Sequence, residues 1–137
     1  MFHLTIVTPT KKLVYQQPME EVFVPGYRGE LNILPGHSPL VTTLTEGLLR
    51  YRLQGESKEY AVAISWGYCE ITPSGVNIMA ETAETPEDID LPRAKAAFEK
   101  SQKALQELNL TPEAIEKHQR KSLRAQARIR VVDSTQH

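Results

Sequence analysis

The sequence predicts an α+β fold, in which an N-terminal antiparallel β-sandwich or barrel precedes a C-terminal antiparallel hairpin of two helices. Three observations support this fold class. Apolar residues alternate through residues 1–84, turn-forming residues separate the short runs, and a helical spacing replaces the alternation after residue 85. We therefore expect two domains, a β-sandwich over residues 1–84 and a helical hairpin over residues 85–137.

The strands are predicted from alternating apolar side chains. These positions are Phe2, Leu4, Ile6, Val22, Val24, Leu49, Tyr51, Leu53, Tyr60, Val62, Ile64, Val76, Ile78 and Ala80. Turn signals such as Thr8-Pro9, Pro25-Gly26 and Gln54-Gly55 lie between them. Short alternating strands separated in this way are typical of an antiparallel sandwich or barrel.

The helices are predicted from their caps and apolar stripes. Asp90 can cap the first helix, whose first turn contains Pro92, and Thr111 can cap a second helix that begins at Pro112. The first stripe comprises Leu91, Ala94, Phe98, Ser101, Leu105 and Leu108, and the second comprises Ile115, Ser122, Ala125, Ile129 and Val132. Because the connection is short, the two helices must run antiparallel.

Both helical stripes are rich in Ala and Ser. Small side chains bury little apolar surface, and each square ångström contributes only about 25 cal/mol. An isolated hairpin of this kind should be marginally stable. We therefore expect it to be able to leave one packing surface for another.

The composition excludes several classes of protein. The 137 residues include 16 Lys and Arg against 17 Asp and Glu, so the chain lacks the excess of bases typical of nucleic-acid binders and polybasic membrane anchors. No long apolar run occurs and residues 2–6 alternate, so we expect that the chain neither spans a membrane nor enters the secretory route by itself. Cys69 is the single cysteine, which excludes an internal disulfide and favours a small core residue.

No catalytic set of residues can be named. The histidines His3, His37, His118 and His137 do not have a metal-ligand spacing. Neither a G-x-S-x-G nucleophile elbow nor a G-x-x-x-x-G-K-[ST] phosphate loop is present. We predict that the chain is not an enzyme, has no catalytic or metal-binding residues, and requires no cofactor.

The second helix carries a basic stripe. Six bases lie between Lys117 and Arg130 with no acid among them, and Lys117, Lys121, Arg124 and Arg128 share one helix face. Such a stripe is most often a solvated face, but it can also dock on an acidic protein surface or hold a polyphosphate. Binding to DNA is disfavoured by the balanced overall charge.

The most specific motif is G-E-L-N-I-L-P-G-H-S-P-L at residues 29–40. It is close to G-x-L-G-I-L-P-G-H-x-P-L in the epsilon subunits of bacterial F-type ATP synthases, called delta in mitochondria. The strand-rich half, the Ala-rich hairpin and R-I-R-V at residues 128–131 extend the similarity over nearly the whole chain. The chain therefore resembles this family, whose fold implies an N-terminal antiparallel β-sandwich of about ten strands followed by the two-helix hairpin.

The resemblance implies a role for the loop at residues 26–40. Its glycines supply backbone angles that other residues avoid, and its prolines stiffen it. In the family, this compact loop and strand meet the membrane rotor ring and the foot of the central stalk. Arg28, Glu30 and His37 are the residues expected at that contact, and Arg28 replaces an acid found in some relatives. His37 has an equally good explanation as a hydrogen-bonded residue that fixes the turn.

The resemblance also implies a function. The chain is expected to be a non-catalytic rotor subunit of a proton-translocating ATP synthase, with the gamma subunit, the c-ring loops and the alpha and beta subunits as partners. Its helices would lie on the sandwich in a closed state and stretch into the catalytic head in an open state, where they restrain ATP hydrolysis. The expected location is the cytoplasmic face of the bacterial inner membrane, through peripheral association by way of the complex. The alternative is a free-standing ATP-sensing protein.

A second motif implies regulatory ATP. I-D-L-P-R-A at residues 89–94 matches the [IL]-D-x-x-R-A pattern of epsilon subunits that bind ATP on the closed hairpin. Carried over by resemblance, the site comprises Glu84, Ile89, Asp90, Arg93, Ala94, Lys100, Arg124 and Arg128. Lys100 stands where some relatives have Arg, which should weaken binding because an ammonium cannot form a bidentate fork. The motif also has a structural explanation, since Asp90 can cap the helix and Arg93 can pair with Asp90 or Glu84.

Overall fold

The structure, a computed structural model, describes residues 2–134. Its strands are β1 (His3–Val7), β2 (Lys12–Gly26), β3 (Gly29–Ile33), β4 (Leu40–Leu44), β5 (Gly47–Leu53), β6 (Tyr60–Ile64), β7 (Gly67–Thr72), β8 (Gly75–Ala80) and β9 (Ala83–Glu84). A 3-10 helix (Pro86–Asp88), α1 (Leu91–Leu105) and α2 (Pro112–Ser134) follow. The predicted fold class is confirmed, with nine strands in the described residues where about ten were predicted. His137 and the last residues of the predicted hairpin domain lie outside the described residues.

The strands form one continuous sheet that folds on itself. The order along the sheet is β1, β8, β7, β4, β2, β5, β6 and β9, and β3 pairs with β2. β1 also pairs with β2, which joins the two layers at one edge. Because β1 runs parallel to β8, the predicted antiparallel sandwich has one parallel pair.

The core lies between the inner faces of the two layers. Its largest fully buried side chains are Leu4, Ile6, Val22, Val24, Ile33, Leu44, Leu49, Val62, Ile64, Ile71, Val76 and Ile78. Cys69 belongs to this core, and burial raises the pKa of its thiol to about 12. The thiol is therefore protonated at neutral pH, and the interpretation of Cys69 as a core residue is confirmed.

The glycine-rich stretch forms two tight turns around β3. A Cβ atom on Gly26 would lie 2.7 Å from the carbonyl oxygen of Gly29, so only glycine permits the close approach of β2 and β3 at this turn. Gly36, in the turn between β3 and β4, has φ +89°, which favours glycine. The backbone N–H of His37 donates to the carbonyl oxygen of Leu34 at 3.1 Å and closes that turn. The predicted compact loop and strand are confirmed.

Both predicted helix caps form. Asp90 Oδ1 accepts a hydrogen bond from the backbone N–H of Arg93 at 3.2 Å. Thr111 Oγ1 accepts one from the backbone N–H of Ala114 at 3.1 Å. Each bond satisfies a backbone donor that the first helical turn leaves free. These local interactions define where α1 and α2 begin.

The predicted stripe of small residues forms the contact between the helices. Ala94 and Ser101 of α1 are buried, as are Ser122 and Ala125 of α2. The predicted stripe extends too far at one end, because α1 ends before Leu108, whose side chain is 88% exposed. The hairpin is thus held by side chains small enough to let the helix axes approach closely.

The second helix also packs on the sandwich. Ala127 and Val131 contact Leu48, Ala61 and Ala63 on the outer surface of β5 and β6. The sequence analysis assigned a single stripe to α2 and missed this second buried face. The hairpin is therefore docked on the sandwich, which is the closed arrangement.

A matched pair of valine substitutions tests the orientation of the strands. Val22 in β2 is fully buried, whereas Val41 in β4 is 67% exposed. Val22→Ala should lower the free energy of unfolding by about 2 kcal/mol, because it removes two buried methyl groups and leaves a cavity. Val41→Ala should lower it by less than about 1 kcal/mol, because it changes mainly strand propensity. Urea denaturation measures both values, and equal losses would contradict the assigned burial.

Candidate functional site

A cavity of about 230 Å³ lies where the sandwich, the 3-10 helix and both α-helices meet. It is lined by Glu84, Asp88, Ile89, Asp90, Arg93, Ala94 and Arg128. All of these except Asp88 were predicted from the sequence as nucleotide-binding residues. The structure therefore brings six of the eight predicted residues together, from β9, the start of α1 and α2.

The first turn of α1 provides a polar wall of the cavity. The cap formed by Asp90 leaves the helix N-terminus beside Arg93, and Pro92 has no backbone N–H to contribute. The N-terminus of a helix carries a partial positive charge that stabilises anions. Arg93 adds a full positive charge in the same turn, and the carboxylate of Asp90 already occupies the N-cap.

The 3-10 helix provides an acidic wall. Asp88 Oδ2 accepts hydrogen bonds from the backbone N–H and from the hydroxyl of Thr85, each at 3.0 Å. These bonds, assisted by the charge of Lys11, hold the pKa of Asp88 below its ordinary value. The T-x-x-D spacing from Thr85 is a capping-box signal that could have placed Asp88 beside this site.

An ion pair joins α2 to β9 across the cavity. Arg128 Nε donates to Glu84 Oε1 at 2.8 Å, and both side chains are partly buried. Charge-assisted hydrogen bonds of this kind are stronger than neutral ones. In the docked state, a predicted phosphate-binding cation is thus paired with a predicted acid of the same site. An anionic ligand must compete with Glu84 for Arg128 or bind beside the pair.

Two predicted cations do not line this cavity. Lys100 lies on a separate open pocket with Lys103 and His118. It shares a helix face with Arg93, but it is two turns away, about 10 Å along the axis. Arg124 is partly buried, and its Nε is buried without a hydrogen-bond partner among the described residues. Lys100 and Arg124 therefore do not line the cavity with Arg93 and Arg128, and nucleotide binding by these four cations stays a prediction.

The predicted ring-contact residues lie at one end of the sandwich. Arg28 is exposed in the turn between β2 and β3, and it lines a small cavity with Glu30. Arg50 lies 3.4 Å from the carboxylate of Glu30 and over the ring of Phe23. The Nδ1 atom of His37 is 2.7 Å from the carbonyl oxygen of Ser38, a local hydrogen bond. The turn-fixing explanation of His37 therefore has a contact to support it.

The sequence analysis missed an apolar cleft on the outer face of β7 and β8. The cleft has a volume of about 490 Å³, and Val7, Pro9, Trp66, Tyr68 and Met79 lie in its wall. We call these five residues the aromatic patch. Trp66 is 48% exposed and Tyr68 is 45% exposed, although both are large aromatic side chains. The alternation of Tyr68 with buried Cys69 was a signal that this side chain faces outward.

Within residues 2–134, no three His, Cys, Asp or Glu side chains are grouped closely enough to hold a metal ion. Neither helix in that part of the chain is long and apolar enough to cross a membrane. The charged groups at the cavity are instead arranged as caps and ion pairs that join the hairpin to the sandwich.

Sequence comparisons identify the family. A family model described as the β-sandwich domain of the ATP synthase delta/epsilon chain matches residues 1–86. The ATP synthase epsilon chain of Bdellovibrio bacteriovorus is 45% identical over 130 residues, which cover 95% of this chain and 93% of that one. The ATP synthase epsilon chain 1 of Syntrophotalea carbinolica is 40% identical over 128 residues, which cover 93% and 89%.

Two solved structures share the fold. A chain of the Euglena gracilis mitochondrial ATP synthase has a TM-score of 0.79 at 21% identity, covering 99% of this chain and 81% of that one. A chain of the central stalk and c-ring structure from Tetrahymena thermophila has a TM-score of 0.62 at 13% identity, covering 99% and 96%. The likeness to these two chains shows the fold alone. The relatives at 45% and 40% identity show the family. The chain belongs to the ATP synthase delta/epsilon chain family.

Proposed function

We propose that this stalk subunit joins the central stalk to the rotor ring and restrains ATP hydrolysis by releasing its helical hairpin. Its partners are then the gamma subunit, the c-ring loops and, after release, the alpha and beta subunits. The complex holds it at the cytoplasmic face of the bacterial inner membrane. The observation that carries the proposal is the limited apolar contact by which α2 is docked on the sandwich.

The docked contact is small compared with the sandwich core. Ala61, Ala63 and Ala127 supply three of its five buried side chains, with Leu48 and Val131. Alanine side chains bury little area, and apolar burial contributes about 25 cal/mol per Å². The separate core of the sandwich does not depend on this contact. The hairpin can therefore leave while the sandwich remains folded.

Release of the hairpin would free cations for a new partner. Arg120 and Arg128 are engaged by acids of the sandwich in the docked state. Lys117 and Lys121 of the same helix are exposed. The released helix would present all of these charges together, which favours an acidic surface of the catalytic head.

Removal or release of the hairpin tests the proposed restraint. In the assembled complex, deletion of residues 85–137 should raise the rate of ATP hydrolysis, because the restraining helices are gone. Val131→Asp should lower the rate, because a buried carboxylate in the docked contact favours release. Leu123→Asp is the matched control, since Leu123 is 45% exposed on the same helix. An unchanged rate after the deletion would contradict the restraint.

The aromatic patch is the proposed contact with the gamma subunit. It lies on the outer face of β7 and β8, whereas the hairpin covers the outer face of β5 and β6. Contiguous exposed apolar surface marks interaction sites, and aromatic residues and Met are enriched in interface cores. The loop that contains Arg28, Glu30 and His37 is the proposed contact with the ring.

Substitutions in the patch test the stalk contact. Trp66→Ser and Tyr68→Ser should each weaken binding to purified gamma subunit by roughly tenfold or more, as expected for aromatic anchors in an interface. Tyr15→Ser is the control, because Tyr15 is 52% exposed and does not line the cleft. Interferometry measures the affinities, and circular dichroism confirms that each variant is folded. Binding unaffected by both patch variants would exclude this surface.

A second candidate function is ATP sensing at the cavity. Two observations support an anionic ligand there: Arg93 and Arg128 line the cavity, and Arg124, one turn before Arg128 on α2, has a buried Nε without a hydrogen-bond partner among the described residues. A ligand that binds only the docked hairpin stabilises it by about 1.4 kcal/mol for each tenfold excess over its Kd. High ATP would therefore keep the hairpin on the sandwich, and falling ATP would release it. A free-standing ATP sensor would dock and release its hairpin in the same way, but it would not bind the gamma subunit.

Calorimetric titration with MgATP tests this second function. The wild-type chain should release or absorb heat on binding, and Arg124→Ala/Arg128→Ala should lose that heat because two phosphate-binding cations are removed. Lys121→Ala is the matched control for loss of charge on α2, since Lys121 is exposed and is not one of the predicted nucleotide-binding residues. Absence of heat at millimolar MgATP, or equal heat from the double variant, would exclude nucleotide binding at this cavity.

A further inference from the structure

A second ion pair fastens α2 to the sandwich outside the cavity. Arg120 Nε donates to Glu46 Oε1 at 2.9 Å. Glu46 lies in the turn between β4 and β5, and Arg120 precedes Arg128 by eight residues, about 12 Å along the helix. Neither Glu46 nor Arg120 lines the cavity. The pair joins the sandwich to α2, so it can form only while the hairpin is docked.

The two partners differ in their exposure to solvent. The side chain of Glu46 is 5% exposed, whereas that of Arg120 is 46% exposed. A carboxylate removed from water requires a counter-charge and hydrogen bonds, whereas a half-exposed guanidinium remains hydrated. Leaving Glu46 without its partner therefore costs far more free energy than leaving Arg120 without its partner.

Arg120 is surrounded by acids. The pKa of Arg120 is raised, first by its hydrogen bond to Glu46 and the charge of Glu46, and further by the charges of Glu116 and Glu81. These acids come from the β4–β5 turn, from α2 itself and from the segment after β8. Without Arg120, the carboxylates of Glu46, Glu81 and Glu116 would lie in this region of the docked state without its positive charge.

We propose that the ion pair between Glu46 and Arg120 sets the fraction of molecules in which the hairpin is docked. We call the pair an asymmetric latch, because loss of one partner affects that fraction more than loss of the other. Loss of Arg120 removes the counter-charge of a buried carboxylate in the docked state only, because the ion pair does not exist once α2 is released. Loss of Glu46 leaves a guanidinium that is already half in water and still near Glu116 and Glu81. Loss of Arg120 therefore favours release of the hairpin strongly, and loss of Glu46 favours it weakly.

The latch acts on the same equilibrium as the proposed restraint of hydrolysis, and it rests on the proposed release of the hairpin. It does not rest on ATP binding, since it lies outside the cavity. It gives the docked state a baseline population in the absence of nucleotide. A substitution at residue 120 should therefore shift that baseline even where the nucleotide residues are intact.

The test measures the docked fraction in the full-length chain. Spin labels are attached at Ser57→Cys in the β5–β6 loop and Gln106→Cys at the hairpin tip, both exposed positions. Cys69 is buried in the core and stays unlabelled in the folded chain. Electron–electron distance measurements then give the ratio of docked to released molecules. Circular dichroism on each variant confirms that the helices are intact.

The expected pattern separates an asymmetric latch from an ordinary surface pair. Arg120→Ala should lower the docked-to-released ratio by roughly tenfold or more, and Glu46→Ala by less than about threefold. Glu46→Ala/Arg120→Ala should return to the level of Glu46→Ala, because the buried charge is gone. Lys121→Ala, next to Arg120 on an exposed position, should leave the ratio unchanged.

Two results would overturn the latch. Equal losses in the two single variants, or no loss in Arg120→Ala, contradict it. Val131→Asp distinguishes this failure from failure of the proposed release, because it disrupts the apolar contact and not the ion pair. Release in Val131→Asp without release in Arg120→Ala leaves a mobile hairpin without this latch. A hairpin that stays docked in every variant contradicts both proposals.

Discussion

The arrangement of this molecule depends on one contact, between α2 and the outer face of β5 and β6. Ala61, Ala63 and Ala127 allow the helix to approach the sheet closely, and Leu48 and Val131 fill the remaining space. The cavity at the start of α1 and both ion pairs between α2 and the sandwich exist only because this contact forms. A change in one small apolar surface therefore changes every site that involves the hairpin.

The contact is supplemented by charge rather than by further apolar burial. The pairs Glu46–Arg120 and Glu84–Arg128 hold the helix near its middle and near its end. Charged groups that separate can be hydrated, whereas large apolar side chains that separate must be exposed to water. An interface built from small side chains and ion pairs can therefore open at modest cost in free energy. The two layers of the sandwich cannot separate at a similarly modest cost, because the core between them consists of large buried aliphatic side chains.

The two outer faces of the sandwich differ in what covers them. One is covered by α2, and the other exposes the aromatic patch around Trp66 and Tyr68. The loop with Glu30 and His37 lies at a third position, at one end of the strands. In the proposed function, this separation lets the hairpin move without disturbing the attachment to the stalk. In the same proposal, the sandwich transmits torque while the hairpin moves between its docked and released positions.

The sequence by itself determined the fold class, the start of each helix and the family. These follow from local patterns: alternation along strands, caps such as Asp90 and Thr111, and the motif at residues 29–40. It also indicated six residues of the cavity, all of them through the resemblance to the family's nucleotide-binding motif.

Only the tertiary structure decided which surface each face of α2 meets. The second buried face of that helix, the displacement of Lys100 from the cavity and the burial of Glu46 beside Arg120 were absent from the sequence analysis. Glu46 and Arg120 are 74 residues apart, and no periodic pattern links them. Their pairing depends on how a helix is rotated against a sheet, which is determined by the summed packing of many side chains rather than by any local segment.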